Sequence, residues 1–408
     1  MEYDRATARR ERLERQRAIA RKRRRTAAIG AGVTLVVIAL LAGGTAAFGA
    51  MRGRSPLSPV ASAPAASMPP SQTASAAKRA SDAALKAASE GTITICAVGD
   101  LLFDLGPRRL IAAQGGKAPL AKVAPLMRTA DLTIANLETT LSNRGASVAG
   151  KPANLIFNGD PRGVASLVDA GVDVVSLANN HAMDHGKIAL QDTIAVLDKA
   201  GVKHVGAGMN SAQAWAPAIL EVKGKKIAYV TATQVVPAYF DSGASRAGIA
   251  NGKNVDKVVA TIRAARKKAD IVIVSLHWGT EQSYTANSAQ KAQARRFIDA
   301  GADVVLSHHP HVMQGIDFYK GKLIAYSLGN FLFPYKTTEG RKSFILKFDL
   351  GPGGAKNVTA TPVYLGEWGR PVPQTGSSAR SILGKLATIS KPFGTKLVID
   401  GNIGRITP

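Results

Sequence analysis

A single cysteine, Cys96, is found in the 408 residues of the chain. Its isolation excludes an internal disulfide framework and any zinc or iron–sulfur centre built on thiolates. Aromatic side chains are few, with three tryptophans and eight tyrosines against forty glycines, a balance that points to many tight turns between short elements. No internal repeat is present, so no array of copied units is expected. Acidic residues are outnumbered 28 to 53 by lysine and arginine, which leaves a net charge of +25. Such an excess invites a nucleic-acid reading until its location is examined.

Much of the excess sits at one end. Residues 1–25 hold eleven Lys/Arg against four acids, and the following 26 residues, Thr26 to Met51, carry no charge at all. A bilayer core of about 30 Å needs roughly 20 apolar residues as a helix, so residues 26–51 are expected to span a membrane. The basic flank 1–25 then stays cytoplasmic and everything after Arg52 lies outside. A cleaved signal peptide is the alternative, because Thr45-Ala46-Ala47 and Gly49-Ala50 offer small-residue cleavage sites. Beside an apolar segment the basic run reads as an orientation signal that also touches anionic headgroups, not as a nucleic-acid arm. Residues 52–90 scatter Pro56, Pro59, Pro64, Pro69 and Pro70 among alanine and serine. Such a stretch buries too little to offset its ordering entropy and is expected to be a flexible linker.

A globular domain is expected over 91–370. Its runs Thr92–Val98, Leu132–Ala135, Val172–Ser176, Ile227–Val230, Ile271–Ser275, Val304–Leu306 and Leu323–Tyr326 read as strands. Amphipathic patterns at 161–170, 186–200, 255–268 and 289–300 fall between several of them, which indicates an α/β domain. Phe344–Leu350 and Val358–Tyr364 read as closing strands, and 371–408 as a weakly patterned C-terminal tail.

Polar residues collect where these strands stop. Asp100 ends the first, Asn136 and Glu138 the second, Asn179, Asn180 and His181 the third; His277 follows the fifth, and His308, His309 and His311 the sixth. In α/β sheets, ligands gather at the carboxyl ends of strands, so these clusters are expected to converge. His309-Pro310-His311 sets two imidazoles at i and i+2, one side of an extended segment, and Asn136 and Glu138 repeat the spacing. Imidazole, carboxylate and amide together suit Mn²⁺, Fe²⁺ or Zn²⁺ better than the all-oxygen sets of Mg²⁺ or Ca²⁺. The candidate ligands are Asp100, Asn136, Glu138, Asn180, His277, His309 and His311, enough for one or two divalent ions. Plainer readings stand beside these: Asp100 as a turn cap, Asn179-Asn180 as a hydrogen-bonded turn, His181 as a core histidine, Glu281 as an arginine partner.

The motifs Ala97-Val98-Gly99-Asp100, Asn136-Leu137-Glu138-Thr139, Ser176-Leu177-Ala178-Asn179-Asn180-His181, His277-Trp278-Gly279-Thr280-Glu281, His308-His309-Pro310-His311-Val312 and Tyr326-Ser327-Leu328-Gly329-Asn330-Phe331 occur in order. Together, from about Thr92 to Phe333, they resemble the bacterial capsule synthesis proteins of the CapA, or poly-γ-glutamate biosynthesis, type, relatives of the calcineurin-like metallophosphoesterases. The resemblance implies a four-layer α/β/β/α sandwich with a metal site at its loop edge. It implies that Asp100 binds a first metal, that Glu138 bridges, that Asn180, His277 and His309 bind a second, and that His311 returns to the first. His181 would be general acid to a metal-activated water, with Glu281 a second catalytic candidate. Leu102 stands where metallophosphoesterases usually carry a histidine, Glu138 where they carry an aspartate, and Ser307 where the capsule family has glycine.

Three functions stay open at this point. The first is a membrane-anchored, extracytoplasmic enzyme of capsule or poly-γ-glutamate synthesis and export. The second is a phosphoesterase acting on envelope substrates. The third is a non-catalytic polymer-binding subunit of a membrane synthase complex. The partners implied are the membrane, an anionic envelope polymer and synthase subunits, with no nucleic acid.

Overall fold

Alternation along the first strand shows how the chain is layered. In β1 (Ile93–Leu101), Ile93, Ile95 and Ala97 enter one core while Cys96 and Val98 enter another, so both faces of the strand are covered. A strand buried on both sides reads as a continuous apolar run. The computed structural model describes residues 92–351 and 353–408. The expected cytoplasmic tail 1–25, spanning segment 26–51 and linker 52–90 lie outside the described residues. Among the described residues no helix is long and apolar enough to cross a membrane.

Strands β2 (Leu132–Leu137), β3 (Val174–Ser176) and β4 (Lys203–Val205) continue parallel from β1. Helices α1 (Gly106–Gln114), α2 (Val164–Ala170) and α3 (Gly186–Ala200) connect them. A second sheet comprises β5 (Ala218–Val222), β6 (Lys225–Thr233), β7 (Ile271–His277), β8 (Val304–His308), β9 (Ile316–Tyr319) and β10 (Lys322–Ala325). Its order is β9-β10-β8-β7-β6-β5. Helices α4 (Val255–Arg266) and α5 (Ser288–Asp299) make the crossovers between the parallel strands β6, β7 and β8. The chain then returns to the first sheet through β11 (Asn330–Leu332), which lies beside β1, and the antiparallel pair β12 (Lys342–Gly351) and β13 (Gly354–Leu365).

Three cores define four layers. One packs α1, α2 and α3 on the outer face of the first sheet, through Ile111, Leu167 and Leu190 against Cys96, Val98 and Ala135. The middle core lies between the sheets, where Ile95, Ala97 and Ile134 meet Tyr229, Ile273 and Leu306. The third packs α4 and α5 on the second sheet, through Val258, Ile262, Ala294 and Phe297 against Val274 and Val305. With their carboxyl ends at one edge, the two sheets hold their polar termini together.

Residues 371–408 are not a tail. Strand β14 (Pro371–Pro373) pairs with β13, and β15 (Lys396–Asp400) and β16 (Ile403–Thr407) extend the first sheet beyond it. Helix α6 (Gly376–Ser390) sends Ile382, Leu383 and Leu386 into the middle core. These apolar residues share one helical face; diluted among serine, glycine and alanine, that stripe shows weakly in the sequence. The domain expected to stop at 370 therefore runs on to the sheet edge formed by β15.

Candidate metal centre

Each ligand candidate is delivered by a strand end or the turn after it. Asp100 is the eighth residue of β1, at a register irregularity where β1 leaves β12 and takes β11 as neighbour. Glycine is required just before it: a Cβ on Gly99 would sit 1.9 Å from the Gly329 carbonyl oxygen. Asn136 is near the end of β2 and Glu138 immediately follows that strand; His277 ends β7 and His308 ends β8. His309 and His311 follow in a turn, with φ of 97° and 56°. The i and i+2 imidazoles therefore come together on a left-handed turn and not on the extended segment expected. Their ring centres are 6.0 Å apart, and His277 lies 4.8 Å from His309.

Asp100 and Glu138 are both fully buried, and they differ in their partners. Asp100 Oδ1 accepts from Asn136 Nδ2 at 2.9 Å and lies 3.0 Å from His308 Nδ1; its Oδ2 lies 3.7 Å from His311 Nδ1. Burial alone would raise its pKa, but His308, His311 and Asn136 outweigh burial and hold the carboxyl below the usual range. Glu138 has neither oxygen in a hydrogen bond. His277 Nε2 and His311 Nε2 stand 3.5 and 3.8 Å from its Oε1. Burial and the neighbouring Asp100 push Glu138 well above the carboxylate range. Burial likewise drives His277 well below the ordinary histidine value, helped by the surrounding imidazoles, and takes His309 down to about 4. Two buried carboxyls and three imidazoles gathered this closely have the donor chemistry of a cation site.

The fit of a metal can be tested on these atoms. Glu138, His309 and His311 each offer a donor within 4.8 Å of the others, and so do Asp100, Glu138 and His277. Glu138 is common to both triads, and its two free oxygens, with the unpartnered Nδ1 of His309, are what a shared or adjacent ion would take up. The nitrogen and oxygen donors match a borderline divalent ion.

Other expected residues take different places. Asn136 acts as a brace: its Nδ2 donates to Asp100 and its Oδ1 accepts from Asn179 Nδ2, so the expected ligand role is taken up by hydrogen bonding. Asn180 keeps its oxygen toward the centre, 2.7 Å from His277 Nε2. His181 is buried, with Nδ1 2.7 Å from Asp184 Oδ2 and its ring against Phe157. Burial lowers its pKa despite the Asp184 carboxylate. Glu281 is exposed at the rim, outside the buried cluster, although its charge is felt at Glu138.

Residues 94–335 match the family of the bacterial capsule synthesis protein PGA_cap. The chain belongs to that family. It is 31% identical over 330 residues to the PGA biosynthesis protein CapA of Bacillus subtilis, covering 78% of this chain and 83% of that one. To the capsule biosynthesis protein CapA of Bacillus anthracis it is 30% identical over 290 residues, 70% of each chain. Among solved structures, a 5'-nucleotidase precursor from Thermus thermophilus superposes with a TM-score of 0.44 at 14% identity, over 74% of this chain and 59% of that one. A hypothetical protein from the same organism gives 0.42 at 18% identity, over 66% and 98%.

Two residues of this PGA_cap chain escaped sequence reasoning. Lys151 Nζ reaches Asp184 Oδ1 at 2.5 Å, the Asn180 carbonyl at 2.9 Å and His181 Nδ1 at 3.2 Å. Asp184 is wholly buried and also accepts from the Phe157 amide at 2.9 Å. Lys151 follows a glycine in a long loop with no periodicity, so nothing local marks it. Asp184 was legible as the third residue after His181, the spacing of facing groups on a helical turn.

Proposed function

We propose that this protein is a membrane-anchored, extracytoplasmic component of capsule-type polymer synthesis and export. In this reading the buried donor cluster would hold divalent metal, and the protein would hydrolyse or transfer chains of the poly-γ-glutamate kind in concert with membrane synthase subunits. Its relatives in Bacillus are named for PGA biosynthesis and for capsule biosynthesis, and the apolar segment 26–51 would supply the anchor. The observation that carries the catalytic half is Glu138: a buried carboxylate with both oxygens unpartnered, between His277 and His311. Buried among these groups, such a carboxyl either stays protonated or takes up a cation.

Asp100, Glu138, His277, His309 and His311, with the Asn180 oxygen beside them, would hold one or two ions. When bound, such ions acidify water and polarise a scissile carbonyl or phosphoryl oxygen. The chain's own residues do the rest. Asp184 takes the Nδ1 side of His181, so Nε2 is the nitrogen that exchanges a proton with the reacting groups. Lys151 and the Phe157 amide fix Asp184, so the ring cannot turn. Asn136 and His308 hold Asp100 in register. Burial of Asp100, Glu138, His277, His309 and His311 limits their contact with bulk water.

Purified full-length protein, assayed on poly-γ-glutamate with metal content measured in parallel, tests the proposal. Shortened or transferred chains, lost with His181→Ala while metal is retained, would support it. Phosphate release from an aryl phosphate without any effect on polymer would move the assignment to a phosphoesterase. Polymer binding without turnover would move it to a binding subunit.

A further inference from the structure

A lysine or arginine set over an aromatic ring recurs about once per 70–80 residues in proteins. Among the described residues seven such pairs occur, and four of them crowd one seam that starts beside the metal centre. The Tyr335 ring lies 5.4 Å from His311 and 6.0 Å from Phe333. Lys385 Nζ stands 4.2 Å from the centre of the Tyr284 ring. Lys291 Nζ is 5.5 Å from Phe393, and Arg295 and Lys320 are 5.4 and 5.1 Å from Tyr319. Lys291 and Arg295 are four residues apart on α5 and so share a face, roughly 6 Å apart along its axis. Phe393 and Tyr319 pack against the core beneath that helix. Tyr335 stands beside the centre, and the pairs of the seam are Tyr284 with Lys385, Phe393 with Lys291, and Tyr319 with Arg295 and Lys320, the last two linked along α5.

We propose that this seam is the binding track of an extended polycarboxylate whose reacting bond lies at the metal centre. The inference rests on the polymer reading above and adds where the chain lies. Flexible cationic stems laid on rings have already lost much of their rotamer freedom, so pairing them with successive carboxylates costs less ordering. The ring edges between cations give apolar footing to the methylenes of a polycarboxylate backbone. A nucleic acid would need free ring faces for its bases, and here those faces are covered by the cations. Two acids along the track are already paired, Glu339 with Lys342 at 2.5 Å and Asp299 with Lys320 at 2.6 Å, so Lys291, Arg295 and Lys385 are the cations offered to the polymer, with Glu281 at the centre's mouth.

The test uses full-length protein in detergent micelles, fluorescent poly-γ-glutamate of defined length and anisotropy as readout, with metal content measured on the same samples. Replacing three cations together, Lys291→Gln, Arg295→Gln and Lys385→Gln, is expected to weaken binding by about tenfold or more and to flatten its decline with salt. Tyr284→Leu with Tyr319→Leu keeps every charge and is expected to weaken binding a few-fold. Lys257 also lies over a ring, Trp215, but away from the seam; Lys253→Gln with Lys257→Gln should leave binding unchanged. The track is overturned if the triple variant binds like wild type, if the control pair weakens binding as much, or if a single-stranded DNA of equal charge binds more tightly. Wild-type protein that holds metal yet binds no polyglutamate removes the polymer reading itself.

Discussion

The two sheets bring different chemistry to their common edge. The first delivers oxygen, through Asp100, Glu138 and the amide of Asn180; the second delivers nitrogen, through His277, His308, His309 and His311. Taken separately, each set is at odds with itself: two buried carboxylates repel, and so do crowded imidazoles when charged. Set face to face, each supplies what the other lacks, with Asp100 between two histidine rings and His277 between Glu138 and Asn180. The site is thus a property of the spacing between sheets, which is fixed by Ile95, Ala97 and Ile134 against Tyr229, Ile273 and Leu306.

The strongest way to break this complementarity is to loosen that layer. Leu306→Ala removes a fully buried side chain two residues before His308 and is expected to cost about 2–5 kcal/mol. A denaturant melt would read the loss, and metal retention should fall with it. Removing the shared oxygen donor comes next. At a metal concentration about 100-fold above its dissociation constant, wild type should gain about 2.7 kcal/mol of stability from Mn²⁺ or Zn²⁺. Glu138→Ala should gain none in the same thermal-shift series, and EDTA should bring wild type down to its own metal-free melting temperature. A variant whose metal shift matched wild type would leave the two sheets sharing nothing but a core.

Lys151→Met sharpens the comparison on the first sheet's side alone. It strips Asp184 of its cation without touching a nitrogen donor of the second sheet. About 1–3 kcal/mol of stability should go with the lost charged hydrogen bonds, and turnover should fall while metal content holds. Smallest is a change remote from both edges. Arg405 and Asp400 pair at 2.8 Å with both side chains largely exposed, so Arg405→Ala should shift stability by less than about 1 kcal/mol and leave metal binding alone.

How much of this was readable in advance varies with the kind of signal. Strands buried on both faces announce themselves as unbroken apolar runs, which is why β1, β7 and β8 stood out. Helix α3 was bounded by Gly186 and Gly201, the latter in the left-handed conformation that ends helices. The metal candidates were legible because each closes such a strand. Residues whose meaning depends on tertiary placement were not. Lys151 acquires three partners only when its loop folds over the turn after β3. Asn136 looked like a ligand and became a brace because Asn179 occupies its oxygen. The α6 stripe was hidden by small neighbours until the middle core supplied a surface to cover.

His309 and His311 hold their rings on backbone that runs against the handedness natural to L-residues. A molecule selected for sturdiness alone would do better with glycine at either place, since only glycine sits there at ease. Endurance and reactivity therefore pull apart at these two α-carbons, and heat-hardening the scaffold from within this turn would leave a tougher shell around an inert hollow.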